Sequence, residues 1–573
     1  MKQFAHLHVH TEFSLLDGAV RIDKVFELCD ELNIPAIAIT DHGNMYGVIK
    51  FLQAAVRHTD FRADFFDFMA ERRSFKVKPI IGGEVCMTDN MGVREKGKDN
   101  VPPKFYHLVL LAKNEAGYHN LIKIVSEGYA EGTYDNPHVD FEFIKAHSEG
   151  LIALSACLAG VIPQAILEND FALADAWIKK FKYVFGDDFY VEIQNHDMDK
   201  QKIVLPHLIR LAKENSVKVV ATNNAHYSTK ADSETQKVLL AIFDYSVSGN
   251  ADVGVDMSDN NFFLTDEFYI KNYDEMYAAL PYEDALAASL EIAEKCDPYL
   301  IKKEQLLPSY MPPNGMNAER FLRKLTFDGL KLRYGEITAE IKTRAEYELG
   351  IIEKRKFTDY FLTVWNFVHY AKTHNIPVGP GEGGDVGSVV MYALGITKID
   401  PLKYNLIFER FVNPEYIANP AFYIELGKDK RDEIMEYLMK KYGATNVSKI
   451  ATFGRFSASI AIKIVGCVYN YPDSEIVKIT RLIPMMESRL AESYYLTCIL
   501  GQAEWKYGVS ENEIRKSDFD ELKDMYKNDE KVRTILDMAM KIEGMPQKIG
   551  VRYAGVVICR DPIADHVPLV RTN

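Results

Sequence analysis

Seven short β-like runs, at residues 5–10, 36–40, 79–85, 107–112, 151–155, 189–194 and 218–222, alternate with helical patterns over residues 1–281. Such alternation is the mark of a parallel α/β unit, because parallel neighbours need a crossover long enough to hold a helix. Seven runs of this kind predict a barrel, and in α/β barrels chemistry collects at the strand C-termini and the loops after them. A Phe-rich stretch over residues 59–75, with Phe61, Phe65, Phe66 and Phe68, interrupts one unit. It reads as an inserted helix that packs locally or touches a partner.

The chain has 573 residues, so at roughly 150 residues per domain it holds three or four domains. Pro and Gly concentrate at residues 306–315, which read as an extended connector. Beyond it, residues 317–356 are helical in pattern, a mixed segment runs to about residue 420, and charged helices follow from 429, through 479–486 and 518–542. Residues 555–559 read as a buried strand. The divisions fall after residues 285, 430 and 530.

Composition narrows the class. With 47% hydrophobic and 26% charged residues the chain is an ordinary globular protein, neither disordered nor repetitive. No apolar run is long enough for a membrane span, and the start lacks a signal-peptide core, which points to the cytoplasm. Seven Cys without a C-x-x-C pair indicate neither a disulfide framework nor a zinc ribbon, so any metal needs mixed ligands. The net charge is −14, from 68 basic and 82 acidic residues, and no strong basic stripe stands out. That argues against a protein that works by clamping many phosphates.

Mixed ligands are present. His8 and His10 share one face of the first run, with Asp17 in the turn after it. The second run ends in Asp41 and His42, the third carries Glu84, the fourth begins with His107, Cys157 follows the fifth, and His226 follows the seventh. Imidazole, carboxylate and a single thiolate suit zinc, manganese or iron, and more than four such groups predict a multinuclear site. Asp41 reads either as a helix cap or as a carboxylate that orients an imidazole. His6 shares the face of His8 and His10 but reads as a surface or supporting group. Five imidazoles and two carboxylates on one set of strands are poorly explained as core packing, since each would need its own partner. Clustered divalent cations serve phosphoester chemistry.

The motifs FAHLHVHTEFSLLDG (4–18), ITDHGNM (39–45), PIIGGE (79–84), LVLLAKN (108–114) and LSACLAG (154–160) resemble the PHP (polymerase and histidinol phosphatase) domain. They are similar in particular to the version at the N-terminus of C-family replicative polymerases, the bacterial DNA polymerase III alpha subunit. The resemblance implies a distorted seven-stranded barrel over residues 1–285 that holds up to three divalent metals. It assigns the ligands to His8, His10, Asp17, His42, Glu84, His107, Cys157 and His226. The ninth position, an Asp in the family, is Asn224 here, a weaker neutral ligand that would loosen one metal. Some members of the family use this domain as a 3′–5′ exonuclease, and others keep it as a scaffold.

Further motifs, RAEYELGII (344–352), DYFLTVW (359–365), IPVGPG (376–381), YALGIT (392–397), DPLKYNL (400–406), FERF (408–411), ATFG (451–454) and YAGVVI (553–558), are similar to the alpha-subunit palm. The resemblance implies an α+β, polymerase-β-like palm over 286–430 and 531–573, with a helical thumb over 431–530. The family's alternating Asp residues, on a strand after a Pro, are replaced by Ala421, Tyr423 and Glu425. Its Gly-Arg-Gly-Ser phosphate loop reads Gly381, Glu382, Gly383, Gly384, followed by Asp385, and its His before the Ala-Gly-Val-Val run (554–557) is replaced by Tyr553. A third Asp and the fingers would lie beyond Asn573. Polymerase chemistry needs carboxylates that hold two Mg²⁺ ions, and an anionic loop repels a triphosphate, so Mg²⁺ is not expected at this palm.

Three functions compete: a metal-dependent 3′–5′ exonuclease acting on single-stranded DNA or a primer 3′ end; a metal-stabilised replication scaffold that binds DNA or a partner subunit; and part of a DNA polymerase. The residues favour the first, with a silent palm.

Overall fold

The computed structural model describes residues 2–62, 64–88, 104–131, 137–248, 265–303, 306–413, 420, 422–483, 495–502 and 519–571. Six of the seven expected runs are strands: β1 (Ala36–Ile39), β2 (Lys78–Thr88), β3 (Tyr106–Ala112), β5 (Leu151–Leu154), β6 (Phe189–Ile193) and β7 (Lys218–Ala221). A two-residue strand, β4 (Val139–Asp140), joins the edge of β2. The hydrogen-bonded order is β1-β2-β3-β5-β6-β7.

The first run forms no regular strand. Instead it bridges both ends of this path. On one side the His6 amide donates to Ala36, Ala38 to His6 and Thr40 to Val9; on the other, Ala225 donates to His8 and His10 to Ala225. The seven runs therefore close on themselves through residues 6–10.

The sheet is mixed rather than wholly parallel, which corrects the sequence reading. β1 with β2, β5 with β6, and β6 with β7 are parallel, whereas β3 runs antiparallel to both β2 and β5. The reversal has a positional result: the start of β3 lies at the edge where β2 and β5 end. The parallel connections carry helices, Val48–Arg57 and Phe65–Ala70 before β2, Val161–Leu167 and Phe171–Phe185 before β6, and Asp199–Glu214 before β7. β1 and β5 are buried along their whole length, as strands covered on both faces must be. The expected Phe-rich insert is the short helix Phe65–Ala70. Its Phe68 is buried, edge-on to Phe61 and Phe75.

The chain divides into two compact units that do not follow chain order. The first comprises residues 1–303, 451–551 and 564–573, and the second comprises 304–450 and 552–563. Strands β8 (Val447–Arg455) and β9 (Pro546–Ile558) pair as a two-stranded ribbon, and each passes from one unit to the other. The first unit thus gains helices Ala458–Val468, Asp473–Arg481, Asp520–Asn528 and Glu530–Ile542. Phe456, Ile462, Leu536 and Ile542 from this part share a core with Leu16, Ala19 and Val238. No helix among the described residues is long and apolar enough to cross a membrane.

The second unit is largely helical, built on Ala318–Tyr334, Ala339–Lys354, Thr358–Thr373 and Arg431–Tyr442 around Leu322, Leu349, Phe361 and Phe408. Two expectations change here. Residues 422–426 are not a regular strand; their ladder contact is one antiparallel bridge from Leu426 to Val378. The 555–559 run is a strand up to Ile558, but Val556 and Val557 are exposed, so it is not a buried one.

Two buried carboxylates in this unit fare differently. Glu348 accepts from Ser388 Oγ at 2.7 Å, from the amides of Val389 and Val390 at 3.0 Å each, and from Arg344 Nε at 2.7 Å. Asp385 is as deeply buried, yet neither of its oxygens completes a hydrogen bond. Burial pushes its carboxyl up to about 6, although the amides of Tyr423 and Val386 favour the anion. Because this folded-state value exceeds the unfolded one, the folded chain binds more protons between about pH 4 and 6, and stability falls as pH rises through that window. Asp385→Ala is therefore expected to raise stability by about 1–3 kcal/mol at pH 8 and to change it little below pH 4, as measured by urea denaturation at both values.

Candidate metal centre

The rim where β1, β2, β5 and β7 end gathers the ligand types that the sequence singled out. The bridging segment projects His8 and His10 to one side, as its period of two requires, and their Nε2 atoms stand 3.2 Å apart. Glu84, midway along β2, faces the same point, with Oε1 3.4 Å from His8 Nε2 and Oε2 3.5 Å from His10 Nε2. Donor atoms that share a tetrahedral ion at roughly 2.0–2.1 Å lie about 3.3–3.4 Å apart, so these three separations fit one cation.

Glu84 also serves the imidazoles on its other side. His42 follows β1 and places Nδ1 2.7 Å from Glu84 Oε2, while its Nε2 is 2.6 Å from Asp17 Oδ2. His107, at the start of the antiparallel β3, puts Nδ1 2.9 Å from Glu84 Oε1. His226 stacks on His10 with ring centroids 4.2 Å apart. Three overlapping sets result, His8/His10/Glu84, His42/Glu84/His107 and His10/His42/His226, each with donor atoms within 4.8 Å of one another. All such sets among the described residues lie here.

The remaining candidates sit at the margin. Cys157 Sγ is 3.8 Å from His107 Nδ1 and 3.9 Å from Glu84 Oε1. Asn224 lines the same cavity, and its Oδ1 is buried without a hydrogen-bond partner. Local backbone strain delivers these groups. Leu16, Ala156 and Asn224 adopt left-handed conformations with φ of 63°, 63° and 39°, immediately before Asp17 and Cys157 and two residues before His226. Gly160 closes the Cys157 loop where any Cβ would collide with the Ser155 carbonyl oxygen.

Ring orientation is fixed from behind. His10 Nδ1 donates to Ser14 Oγ at 3.0 Å, and Ser14 in turn donates to Asp41 at 2.9 Å. Asp41 also accepts from the Thr11 amide and hydroxyl. Of its two possible roles, it therefore fills the orienting one, toward His10 through Ser14. His226 Nδ1 donates to the Asp17 carbonyl at 2.6 Å. His8 Nδ1 lies 2.7 Å from Glu192 Oε1, a carboxylate that sequence reading missed. Its signal was a lone acidic residue inside the apolar run FYVEI. His6 is fully buried rather than superficial, bonds the Lys271 carbonyl at 2.9 Å and is no member of these sets.

The charges are mutually dependent. Burial alone would raise Glu84, but His107, His42 and His8 hold it well below the usual carboxylate range. Burial opposes charge on His8 as well, yet Glu192 and Glu84 pull it up to about 10. Burial and the neighbouring His42 and His226 rings keep His10 neutral. Burial and the Glu84 charge push the Cys157 thiol up. A cavity of about 580 Å³ opens over the cluster, lined by Asp17, His42, His107, Cys157 and His226 and by the apolar Leu158, Leu167 and Phe268.

The palm positions named from the sequence show no comparable convergence among the described residues. Ala421 lies outside the described residues, as does the side chain of Tyr553. Glu382, Tyr423 and Glu425 line a separate cavity of about 690 Å³ with Arg431. Tyr423 is exposed, Gly383 packs near its ring, and the Glu425 carboxylate lies against Gly379.

Comparison with known proteins agrees with both halves of the sequence reading. Residues 6–196 match the PHP domain, and residues 320–573 match the bacterial DNA polymerase III alpha NTPase domain. The chain is 39% identical over 576 residues to DNA polymerase III subunit alpha of Borreliella burgdorferi, covering 99% of this chain and 46% of that protein. Against the subunit of Treponema pallidum it is 36% identical, covering 100% and 45%. Against that of Thermus aquaticus it is 34% identical, covering 99% and 48%. The chain spans about half the length of these relatives. It is a DNA polymerase III alpha-like chain, with an N-terminal PHP domain followed by the alpha-subunit NTPase region.

Proposed function

We propose that the N-terminal domain is a metal-dependent phosphoesterase that removes nucleotides from the 3′ end of single-stranded DNA, in a chain whose polymerase region is silent. The observation that carries this reading is that three overlapping ligand sets share His10, His42 and Glu84, each in two of the three. His8, His10, Asp17, His42, Glu84, His107, Cys157 and His226 would hold the ions, with Asn224 as a neutral ninth group. Bound divalent cations of zinc, manganese or iron type supply an activated water and stabilise charge on a phosphoryl group.

The chain's own residues do the rest. Anchored Nδ1 atoms direct the Nε2 atoms of His8, His10 and His226 toward the cluster, where each would be free to ligate a bound ion. Leu158, Leu167 and Phe268 add apolar surface to the cavity lining, and Lys200, also on that lining, attracts an anionic substrate. Asn224 brings no charge, so one ion is held more weakly than the others. In the polymerase region, Glu382 in the former phosphate loop repels a triphosphate and Tyr423 offers no carboxylate. DNA and other replication subunits are the partners in this reading.

A second reading has its own support. His8, His10 and Glu84 are almost wholly buried, so an ion among them would tie the bridging segment to β2 and add to folding free energy without any turnover.

The manganese- or zinc-loaded chain is expected to shorten a 5′-labelled single-stranded oligonucleotide from its 3′ end, and the double variant His8→Ala, His10→Ala to abolish this. Absence of cleavage with every divalent metal tried, at verified metal occupancy, overturns the nuclease; a melting temperature lowered by chelation in the same samples then supports the scaffold. A primed template with Mg²⁺ and all four deoxynucleotides should remain unextended. Extension by this chain, retained on purification to constant specific activity, would defeat the silent-palm reading.

A further inference from the structure

The geometry points to Glu192 as a positioning residue that sets the tautomer and ring orientation of His8 and strengthens it as a ligand; this rests on the metal-binding reading above. Glu192 lies in β6 among Tyr190, Val191 and Ile193, all buried, and is itself buried. A carboxylate in such surroundings is costly unless it is well paired. Its Oε1 takes three donors: the Thr222 hydroxyl, Gln194 Nε2 at 2.7 Å and His8 Nδ1 at 2.7 Å. Thr222 follows β7 and Gln194 follows β6, so the acceptor is fixed from two adjacent strands. The Glu192 amide donates to Ser155 Oγ at 2.8 Å, which ties the same position to the end of β5.

Glu192 approaches His8 from the side away from the cluster. With the Nδ1 proton committed to Glu192, the His8 Nε2 lone pair is directed to the point shared with His10 Nε2 and Glu84 Oε1, at 3.2 Å and 3.4 Å. Glu192 belongs to none of the three ligand sets, so it acts through His8. A carboxylate hydrogen-bonded to a ligating imidazole raises its basicity, and losing such a partner typically lowers metal affinity about 10–100-fold.

The test compares the full chain with Glu192→Gln and Glu192→Ala. Glu192→Gln keeps the volume and an acceptor but removes the charge. Manganese affinity is read by competition with a chelating indicator, stoichiometry by elemental analysis, the apo melting temperature by calorimetry, and ligand geometry by the visible absorption of the Co²⁺-loaded protein. Glu192→Gln is expected to weaken the tightest ion about 10–100-fold and to shift the Co²⁺ bands, with saturating stoichiometry and apo melting temperature retained. Glu192→Ala should weaken the ion at least as much. Wild-type affinity and unchanged Co²⁺ bands in a folded Glu192→Gln protein overturn the inference and leave Glu192 a packing residue. A wild-type chain that binds no divalent metal overturns both the inference and the function on which it rests, and the two failures are thereby told apart.

Discussion

One buried anion organises the N-terminal domain. The Glu84 carboxylate lies within 3.5 Å of ring nitrogens on four histidines, carried by the bridging segment, the end of β1 and the start of β3. A lone carboxylate so deeply buried would be strongly disfavoured, and it is tolerable only because positive or donor groups converge on it from several strands. That convergence in turn demands the unusual features of the sheet. The first run has to leave regular pairing to bridge both ends of the path, and β3 has to run against its neighbours to bring His107 to the rim where the others end.

The imidazoles divide into two classes by the nitrogen they present. His8, His10 and His226 have Nδ1 anchored and turn Nε2 inward; His42 and His107 turn Nδ1 toward Glu84. The first class is fixed by side chains or carbonyls behind the ring; burial and neighbouring rings keep His10 and His226 neutral, while His8, between Glu84 and Glu192, is pulled up to about 10. His42 instead spans two carboxylates, Glu84 and Asp17, and its charge follows theirs: burial disfavours the cation, but the two anions pull it up to about 10. Without a metal, protons do the neutralising that a cation would otherwise do. This explains why strained backbone at Leu16, Ala156 and Asn224 is retained around the cluster, since each departure places a polar group that regular structure would direct elsewhere.

Much of this was legible in the sequence because it depends on local period and residue type. The apolar runs located six strands to within a residue or two at most ends, and the period of two placed His8 and His10 together. What escaped depended on long-range pairing. Nothing in YHLVLLA distinguishes a parallel from an antiparallel β3, since both faces are buried in either case. β4 is too short to carry a pattern. Glu192 was hidden because a single acidic residue in an apolar strand acquires meaning only when His8, 184 positions away, meets it. The palm strand expected after Pro420 rested on resemblance to sequences with alternating Asp residues; with Tyr423 and Glu425 in their place, the described segment keeps one bridge to Val378.

Buried carboxylates keep different company in the two regions. In the N-terminal domain, Glu84, Asp41 and Glu192 each meet several donors, and the His8 and His10 Nε2 atoms and the Glu84 oxygens converge at spacings that suit a common ion. In the second unit Glu348 is fully satisfied by backbone amides, Ser388 and Arg344, as a purely structural group would be, while Asp385 is buried with no completed hydrogen bond. Glu382 and Glu425 face a cavity that also contains Arg431, and among the described residues no third ligand joins them within reach of one ion. Convergence, rather than the number of acidic side chains, separates a site that can hold cations from a surface that is merely anionic. By that criterion the support for phosphoester chemistry lies with Glu84 and its histidines.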